Sequence, residues 1–499
     1  MKLKDLISDV EKAQVTGKAD LNIASIEYDS RRVSSDSLFV AISGMKFDGY
    51  DFAEQAVANG AVAVLGENKE CSLPQAHVSV PNARVAMADI AARFYAYPAT
   101  KLNLFGVTGT NGKTTTCFLI RDILEAAGHS TGLVTSSVYD TGREIIQASR
   151  TTPESLDLQR LLFQINKNSC DSAVIEVSSH SLVMRRVDNV AFRTVLFTNL
   201  TRDHLDFHKS MEEYLKAKAQ LLDHLTENDA TAVINIDVPE FVSLMNLDDI
   251  KFVTYSIDNP EADIYCSSYR IEPSSTIFDL MTPTGIHHLE LNIPGRFNLI
   301  NAVAAAAACH SAGIADEDIV RGLESAVPVP GRLNYIDQGQ PFALYVDFAH
   351  TPDALERVCE TVKELSAGRL LLLFGCGGDR DKGKRPMMGE VAGRLADFVW
   401  VTSDNPRSED PLSIIKDIKP GLAKAATEVT IEPERKKAII GIIKKAQAGD
   451  VVLLAGKGAE KYQEIEAEFI PFDEIDIAHQ ALKELGYYRT GDWSSDVCS

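Results

Sequence analysis

Residues 106–116 read Gly-Val-Thr-Gly-Thr-Asn-Gly-Lys-Thr-Thr-Thr and stand between an apolar stretch, 102–107, and a helix-like run, 117–124. A glycine-rich turn between a strand and a helix directs backbone N–H groups at one point, where the helix dipole adds positive potential. Lys113 is then placed to reach the outer phosphates of a nucleoside triphosphate, and Thr114 to bring its hydroxyl to Mg²⁺. Val107 stands where the strict Walker pattern has glycine, and the alternative is an ordinary turn. The stretch predicts a phosphate-binding loop.

The composition bounds the class of protein. A chain of 499 residues is expected to form two to four domains. Its net charge of −21 argues against nucleic acid or an anionic membrane as the main partner. We expect no membrane span, since no run approaches the roughly 20 apolar residues that one needs. Eight scattered cysteines without C-x-x-C spacing and the lack of a signal peptide predict a cytoplasmic protein.

Three blocks follow one another, and we place their boundaries at 1–98, 99–329 and 330–488. Each alternates apolar strands with helices, which predicts an α/β fold, with a doubly wound parallel sheet after the glycine loop. The stretch 252–291 alternates in the manner of an antiparallel insert. The tail 489–499 has no periodicity, and we interpret it as non-native.

Polar residues follow two apolar strands of the second block. Glu176 ends the strand 173–177 among apolar neighbours, and because a lone buried carboxylate is costly, a cation such as Mg²⁺ is expected beside it. The next strand leads into Asn199-Leu-Thr-Arg-Asp-His-Leu-Asp-Phe-His208, whose histidines and aspartates suggest a metal or phosphate site. Lys218 lies in the helix after it, and on its own it reads as a solvated lysine.

These motifs, taken in order, resemble the Mur ligases and in particular their tripeptide-forming branch. The matching stretches are Asp29-Ser-Arg-Arg32, the glycine loop, Thr151-Thr-Pro153, Glu176-Val-Ser-Ser-His180, 199–208, Lys218, Gly295-x-Phe-Asn-x-x-Asn301, Pro330-Gly-Arg332 and Asp347-x-x-His350-x-Pro-Asp353. The resemblance spans about residues 20–485. It implies three domains: a smaller N-terminal α/β domain that binds UDP, a central P-loop ATPase domain and a C-terminal Rossmann-like domain.

The resemblance also implies an activity: ATP-dependent amide formation through an acyl phosphate, in peptidoglycan precursor synthesis. The substrates would be UDP-N-acetylmuramoyl-L-alanyl-D-glutamate, meso-diaminopimelate and ATP, and the enzyme is expected to be a monomer. Catalysis would involve Lys113, Glu176, His204 and Lys218. Mg²⁺ would be held by Thr114, Glu176, His204 and Lys218, with Lys218 carbamylated. Implied nucleotide contacts are Gly109, Thr110, Asn111, Gly112, Lys113, Thr114, Thr115, Asn301, Arg332 and Asp347, with His350 as a further candidate.

The remaining implied contacts concern the two other substrates. Positions that match UDP-substrate contacts are Ser30, Met45, Lys46, Phe47, Thr151, Thr152, Ser178 and Arg186. The chain departs from relatives at Arg150, which is Asn in some, and at Met184, where others have a glutamine contact.

Positions that match amino-acid contacts are Arg380, Asp404, Asn405, Pro406, Arg407, Gly456 and Glu460. Asp-Pro and Asn-Pro sequences are often plain turns. Two arginines with Glu460 would suit an amino acid with an extra carboxylate and an extra amine, and Arg407 could bind that carboxylate bidentately. Asp404-Asn-Pro-Arg407 resembles the version that selects meso-diaminopimelate.

Three alternatives stay open at this point. One is a ligase of the same family that adds L-lysine. Another is a ligase like folylpolyglutamate synthetase, which lacks the N-terminal UDP block and the Asp-Asn-Pro-Arg stretch. The third is a P-loop ATPase without ligase activity, which would hydrolyse ATP without needing an amino acid.

Overall fold

The structure, a computed structural model, describes residues 1–44, 47–67, 75–226, 229–247, 249–272, 274–329, 331–365, 368–423, 427–466 and 468–488. The chain divides into two compact units, residues 1–265 with 303–322, and residues 266–302 with 323 onwards. The first unit carries the glycine loop, and the second carries the Asp404–Arg407 stretch. Of the predicted site residues, Met45 and Lys46 lie outside the described residues, as do Pro330 and the tail 489–499.

A small sheet opens the first unit. Its strands are β1 (Gln14–Gly17), β2 (Ser25–Glu27), β3 (Ser37–Ala41), β4 (Ala61–Glu67) and β5 (Ala76–Val80), in the order β1-β5-β4-β3-β2. The three pairings from β2 to β5 are parallel, and β1 runs antiparallel to β5. The accompanying helices are α1 (Leu3–Leu6), α2 (Ala53–Ala58) and α3 (Ala83–Phe94).

A larger sheet follows in the same unit and places the glycine loop. Its strands are β6 (Asn103–Thr108), β7 (Thr131–Val134), β8 (Val138–Asp140), β9 (Ile145–Gln147), β10 (Ser172–Glu176), β11 (Thr194–Phe197), β12 (Thr231–Asn235) and β13 (Lys251–Ser256). The order is β13-β12-β11-β6-β10-β7-β8-β9, and every pairing from β13 to β7 is parallel. The carboxyl ends of β6, β10 and β11 therefore meet at one edge.

The antiparallel insert predicted at 252–291 is wrong for the first part of that stretch and confirmed for its last part. The stretch from 252 does not begin an antiparallel insert, because β13 pairs in parallel with β12 and with the start of β14 (Ile264–Ile271). The chain crosses over through 239–246 before β13, so the strand returns in the same direction as β12. The antiparallel pairing predicted here is found further on, between β15 (Thr276–Thr282) and β16 (Gly285–Leu291) in the second unit.

The second unit contains a further parallel sheet. Its strands are β17 (Asn334–Tyr335), β18 (Ala343–Asp347), β19 (Leu370–Phe374), β20 (Phe398–Val401), β21 (Glu428–Ile431) and β22 (Val451–Ala455). The order is β17-β18-β22-β19-β20-β21, with only β17 antiparallel. A hairpin of β23 (Tyr462–Ile465) and β24 (Glu468–Pro471) follows. These strands confirm the α/β fold.

Helices alternate with the strands along both units. They are α4 (Lys113–Ala126), α5 (Ser155–Lys167), α6 (Ser179–Val183), α7 (Leu205–His208), α8 (Met211–Ala219), α9 (Pro239–Val242), α10 (Arg296–Ser311), α11 (Asp316–Ser325), α12 (Pro352–Glu364), α13 (Lys384–Leu395), α14 (Pro411–Leu422), α15 (Arg435–Lys445) and α16 (Glu474–Glu484). Within the described part of the chain, no helix combines the length and the apolar character that crossing a bilayer requires.

Candidate active site

The glycine loop joins β6 to α4, as the sequence predicts. Gly109 has φ +149°, and a Cβ built on it would lie 1.9 Å from Thr198 Oγ1. The Thr198 hydroxyl itself donates to Asn111 O at 2.7 Å, and Asn111 N donates to Asn199 Oδ1 at 2.9 Å. The end of β11 therefore holds the loop in its curved form, and this contact requires glycine at 109.

Lys113 and Glu176 form an ion pair at the start of α4. Lys113 Nζ lies 3.9 Å from Glu176 Oε1, and the two side chains are 15% and 3% exposed. Thr114 Oγ1 donates to Glu176 Oε2 at 2.9 Å, and Ser136 N donates to the same oxygen at 3.0 Å. Lys113 also donates to Thr110 O at 2.9 Å. The predicted carboxylate, hydroxyl and lysine are therefore brought together.

These side chains fit Mg²⁺ in the way nucleotide sites use it. Mg²⁺ in such sites takes one or two carboxylates, substrate phosphates and water rather than a cage made only of protein ligands. Glu176 and the Thr114 hydroxyl offer oxygen ligands in contact with each other. No group of three or more His, Cys, Asp or Glu side chains among the described residues is spaced to hold a metal ion on its own.

Lys218 is buried rather than solvated. Its Nζ donates to Gly109 O at 2.7 Å and lies 4.3 Å from the centroid of the Tyr214 ring. Burial lowers the pKa of Lys218 well below its ordinary value of 10.5, and the like charge of Lys113 acts in the same direction. The Lys218 amine therefore lies directly under the glycine loop, in surroundings that favour its neutral form over the charged one.

Three histidines and Tyr214 form a ring cluster beside Lys218. The His204 ring lies 4.7 Å from that of His180 and 6.3 Å from that of Tyr214, between centroids. His208 is buried, with Nε2 2.9 Å from Ser179 Oγ. His204 is 46% exposed and adopts φ +54° at the start of α7. His204 and Lys218 thus lie against the same tyrosine ring.

The buried carboxylate of Glu154 gathers the predicted contact Arg186, the departing residue Arg150, and Arg84, which the sequence did not indicate. Arg150 Nη1 lies 2.7 Å and Arg186 Nη2 2.9 Å from Glu154 Oε1, while Arg84 Nη1 lies 3.1 Å from Oε2. Arg186 Nη1 donates to Thr152 O at 3.1 Å. Three guanidinium groups against one carboxylate leave two net positive charges here, which favours an anionic ligand.

Thr152 links this cluster to the backbone of Glu176. Its hydroxyl donates to Glu176 O at 2.8 Å and accepts from Ser178 N at 3.2 Å. Thr151 precedes it in the same turn. Positions matched separately in the sequence are therefore adjacent at the end of β10.

The predicted UDP-side residues lie in the first 60 residues. Ser30 is buried, and its hydroxyl donates to Gln55 Oε1 at 2.8 Å. Phe47 is 67% exposed and stands edge-on to Phe52, with centroids 6.2 Å apart. An exposed ring next to a second ring offers an apolar face on which a base could stack.

The predicted nucleotide contacts Asn301, Arg332 and Asp347 lie in the second unit. Asn301 is buried in α10. The Arg332 guanidinium lies 4.8 Å over the Phe348 ring. Asp347 ends β18 and accepts from Leu333 N and Ala349 N, both at 2.7 Å. Burial raises the pKa of Asp347, although the Arg332 charge opposes this.

The predicted amino-acid residues converge at the ends of β20 and β22. Asn405 Nδ2 donates to Glu460 Oε2 at 2.9 Å. Lys457 Nζ donates to Asn405 Oδ1 at 2.9 Å and to Glu460 Oε2 at 2.8 Å. Asp404 is buried beside Gly456, where a Cβ would lie 2.6 Å from Asp404 Oδ2. Although burial opposes it, the Lys457 and Arg435 charges hold the pKa of Asp404 below its ordinary value.

The two predicted arginines lie against one glycine. A Cβ built on Gly377 would be 3.0 Å from Arg407 Nη1 and 3.8 Å from Arg380 Cγ. The loop that carries Arg380 is tied to the one that carries Arg407, because Asp379 N donates to Glu409 Oε1 at 2.7 Å. Fully buried Arg385 holds Glu409 in turn.

Several residues that shape the site escaped the sequence analysis. Lys457 stands between Gly456, a matched position, and Gly458, so its place in the sequence was a usable signal. Glu154 directly follows Thr151-Thr-Pro153, and Thr198 directly precedes the stretch 199–208. Nothing in the spacing of either residue indicates its partners. Glu464, which pairs with Arg407, carries no local signal.

Family models match most of the chain. The Mur ligase family, catalytic domain model matches residues 22–95, the Mur ligase middle domain model 107–309, and the Mur ligase, glutamate ligase domain model 331–458. These three ranges follow the order of the three main sheets.

Individual relatives agree with the family models. A UDP-N-acetylmuramoyl-L-alanyl-D-glutamate--2,6-diaminopimelate ligase of Geobacillus kaustophilus is 43% identical over 492 residues, covering 97% of this chain and 100% of the relative. A solved structure of a ligase with the same name is 31% identical, with a TM-score of 0.68 and coverage of 97% and 99%. The MurF ligase of Thermotoga maritima in complex with ADP, at 19% identity, TM-score 0.66 and coverage of 94% and 99%, shares the fold. This chain therefore belongs to the Mur ligase family.

Proposed function

We propose that this chain is the ATP-dependent ligase that joins meso-2,6-diaminopimelate to UDP-N-acetylmuramoyl-L-alanyl-D-glutamate through an acyl phosphate. The relatives that cover nearly its whole length carry the name of that activity. The observation that carries the choice of amino acid is the convergence of Arg380 and Arg407 with Asp404 and Glu460 in one loop cluster.

The chemistry asks for charge neutralisation more than for covalent help. A carboxylate is a poor electrophile, so its oxygen first takes the γ-phosphoryl group of ATP, and ADP leaves. Loop amides and Lys113 would hold the β- and γ-phosphates and offset the charge that develops. The amine of diaminopimelate then attacks the acyl carbon, the C–O bond to phosphate breaks, and the amine loses a proton.

Magnesium belongs to the proposal as well. Glu176 and Thr114 would hold one ion with the phosphates, and His204 and Lys218 would serve a second. When bound, the ions supply positive charge to the phosphoryl oxygens. Lys113 already lies 3.9 Å from Glu176, so the carboxylate is oriented before a ligand arrives.

Carbamylation of Lys218 is favoured by its surroundings. Only a neutral amine adds to CO₂, and burial beside Lys113 lowers the pKa of Lys218 and so favours that form. The nitrogen bonds to the carbon of CO₂ and releases a proton, which turns a potential cation into an anion. An anion at this place would attract Mg²⁺, whereas an ammonium would repel it.

The carboxylates of the two substrates fit the charges of the Glu154 cluster and of the Arg407 loops. The cluster around Glu154 carries two net positive charges, which suits the anionic dipeptide end of the UDP substrate. Diaminopimelate ends in a second amino-acid head, whose carboxylate needs a cation and whose ammonium needs an anion. Lysine lacks that carboxylate and would leave Arg407 without an incoming partner.

The test is phosphate release with ATP, the UDP-dipeptide and a panel of amino acids. We expect release only with both substrates, with diaminopimelate preferred over L-lysine by about 10²-fold. Arg407→Ala is expected to raise KM for diaminopimelate strongly and to leave KM for the UDP substrate unchanged. Preferential use of lysine would overturn the choice of amino acid. Release without any amino acid would favour a plain ATPase, and use of a folate would favour the folylpolyglutamate-type activity.

A further inference from the structure

Arg407 already has an anionic partner within the chain. Its Nε lies 2.7 Å from Glu464 Oε2 on β23, and the two side chains are 19% and 23% exposed. The guanidinium also donates from Nη1 to Gly378 O at 2.8 Å. The remaining Nη hydrogens have no other acceptor among the described residues. Glu464 and Gly378 O therefore use part of the hydrogen-bonding capacity of Arg407. The rest of the guanidinium is the part proposed to bind the carboxylate of the amino acid.

The position of Arg407 does not depend on the Glu464 side chain. Arg407 N donates to Glu464 O at 3.0 Å, and Glu466 N donates to Arg407 O at 2.9 Å. These backbone bonds hold Arg407 at φ +52°, and the bond to Gly378 O fixes one end of the guanidinium. Changing only the side chain of Glu464 leaves all three bonds in place.

The Glu464 carboxylate therefore affects the electrostatic potential around Arg407 rather than the position of Arg407. Glu464 is one of several acids in these loops, with Asp379, Asp404 and Glu460, and they lie among the cations Arg380, Arg407, Lys457 and Arg435. An acid paired to Arg407 weakens the attraction of that arginine for an incoming carboxylate. The same acid attracts an ammonium, including the terminal ammonium of lysine.

We propose that Glu464 is a specificity-determining residue of the amino-acid site, an internal anion that competes with the distal carboxylate of the amino acid for Arg407. The inference rests on the proposed function. With Glu464 present, this chain binds diaminopimelate less tightly than it would with Arg380 and Arg407 alone. For the same reason it discriminates less strongly against lysine.

The variant Glu464→Gln tests whether the Glu464 charge competes with the amino-acid substrate for Arg407. Glutamine has the same length and keeps an oxygen that can accept from Arg407 Nε, so the variant removes the charge and little else. Because partly exposed ion pairs contribute modestly, KM for diaminopimelate is expected to fall about three- to fivefold. The preference for diaminopimelate over lysine in kcat/KM is expected to rise about tenfold. KM for ATP and for the UDP substrate is expected to stay the same.

Glu468→Gln is the matched control. Glu468 lies opposite Ile465 on the other strand of the same hairpin and is exposed. It is expected to behave as wild type, and melting temperatures of both variants check that they fold.

Two results would overturn the inference. A KM for diaminopimelate that is unchanged or raised in Glu464→Gln, in an enzyme whose wild type uses diaminopimelate, removes the role of Glu464 alone. A wild type that does not use diaminopimelate at all removes the proposed function, and the role of Glu464 with it.

Discussion

Replacing Lys113 by alanine is expected to damage both stability and catalysis, by separable routes. The substitution leaves the Glu176 carboxylate 3% exposed, without the cation 3.9 Å away. At an effective dielectric constant of about 20, two unit charges at that distance attract by about 4 kcal/mol. The alanine variant also no longer desolvates an ammonium, which offsets part of this. We expect the free energy of unfolding of the first unit to fall by about 2–4 kcal/mol.

The second route is catalytic. Removing the charge that offsets the transferring phosphoryl group is expected to lower kcat by about 10²-fold or more. Glu176→Gln on the alanine background separates the routes, because it removes the stranded charge and keeps both hydrogen-bond acceptor and size. The double variant should recover most of the lost stability and none of the lost activity.

Urea unfolding of the full-length wild type, both single variants and the double variant measures the first effect, and phosphate release measures the second. The design is a double-mutant cycle, so the coupling between Lys113 and Glu176 is read directly. Equal stability of Lys113→Ala and wild type would refute the role of the ion pair. Near-normal ligation by the same variant would refute the phosphate site itself.

Three further predictions concern the loop, the buried lysine and the arginine cluster. Gly109→Ala should lower the free energy of unfolding by about 2–4 kcal/mol and weaken ATP binding, measured by urea unfolding and calorimetry, because its Cβ would strike a threonine hydroxyl at 1.9 Å. Gly128→Ala, at φ +89° with open space around it, should cost only about 1 kcal/mol and leave ATP binding intact. Lys218→Ala should be inactive and partly rescued by added short carboxylates in the phosphate-release assay, whereas Lys216→Ala, a 62% exposed lysine of the same helix, should be fully active. Arg186→Ala should raise KM for the UDP substrate at least about tenfold with KM for ATP unchanged, and equal KM values for the UDP substrate would count against the anion site.

Much of the fold follows from short-range features of the chain. The glycine loop lies between a strand and a helix because the apolar run before it favours a strand and the run after it favours a helix. Both preferences depend on residues that are neighbours along the chain. The strand predicted at 173–177 is found as β10 (Ser172–Glu176), where an apolar run predicts it. Pairing direction was less predictable, and β13 joins the parallel sheet because of the crossover that precedes it.

The residues of the site also differ in how far the sequence predicts their neighbours. Lys113 and Thr114 could be grouped from sequence because both begin the helix that follows the glycine loop. Glu176 ends another strand, β10, and lies beside them because β10 pairs in parallel with β6. The resemblance to the Mur ligases linked the more distant motifs, and the amino-acid residues it implied lie in the neighbouring loops after β19, β20 and β22.

By itself, then, the sequence determined the α/β class, the glycine loop between a strand and a helix, and the family to which the chain belongs. Only the tertiary structure decided that Lys218 is buried under Gly109, that Glu154 gathers three arginines, and that Glu464 pairs with Arg407. The reason is that local pattern depends on neighbours along the chain. The partner of a charged side chain depends on how whole elements pack, and that packing is a sum over many weak contacts that no single residue reveals.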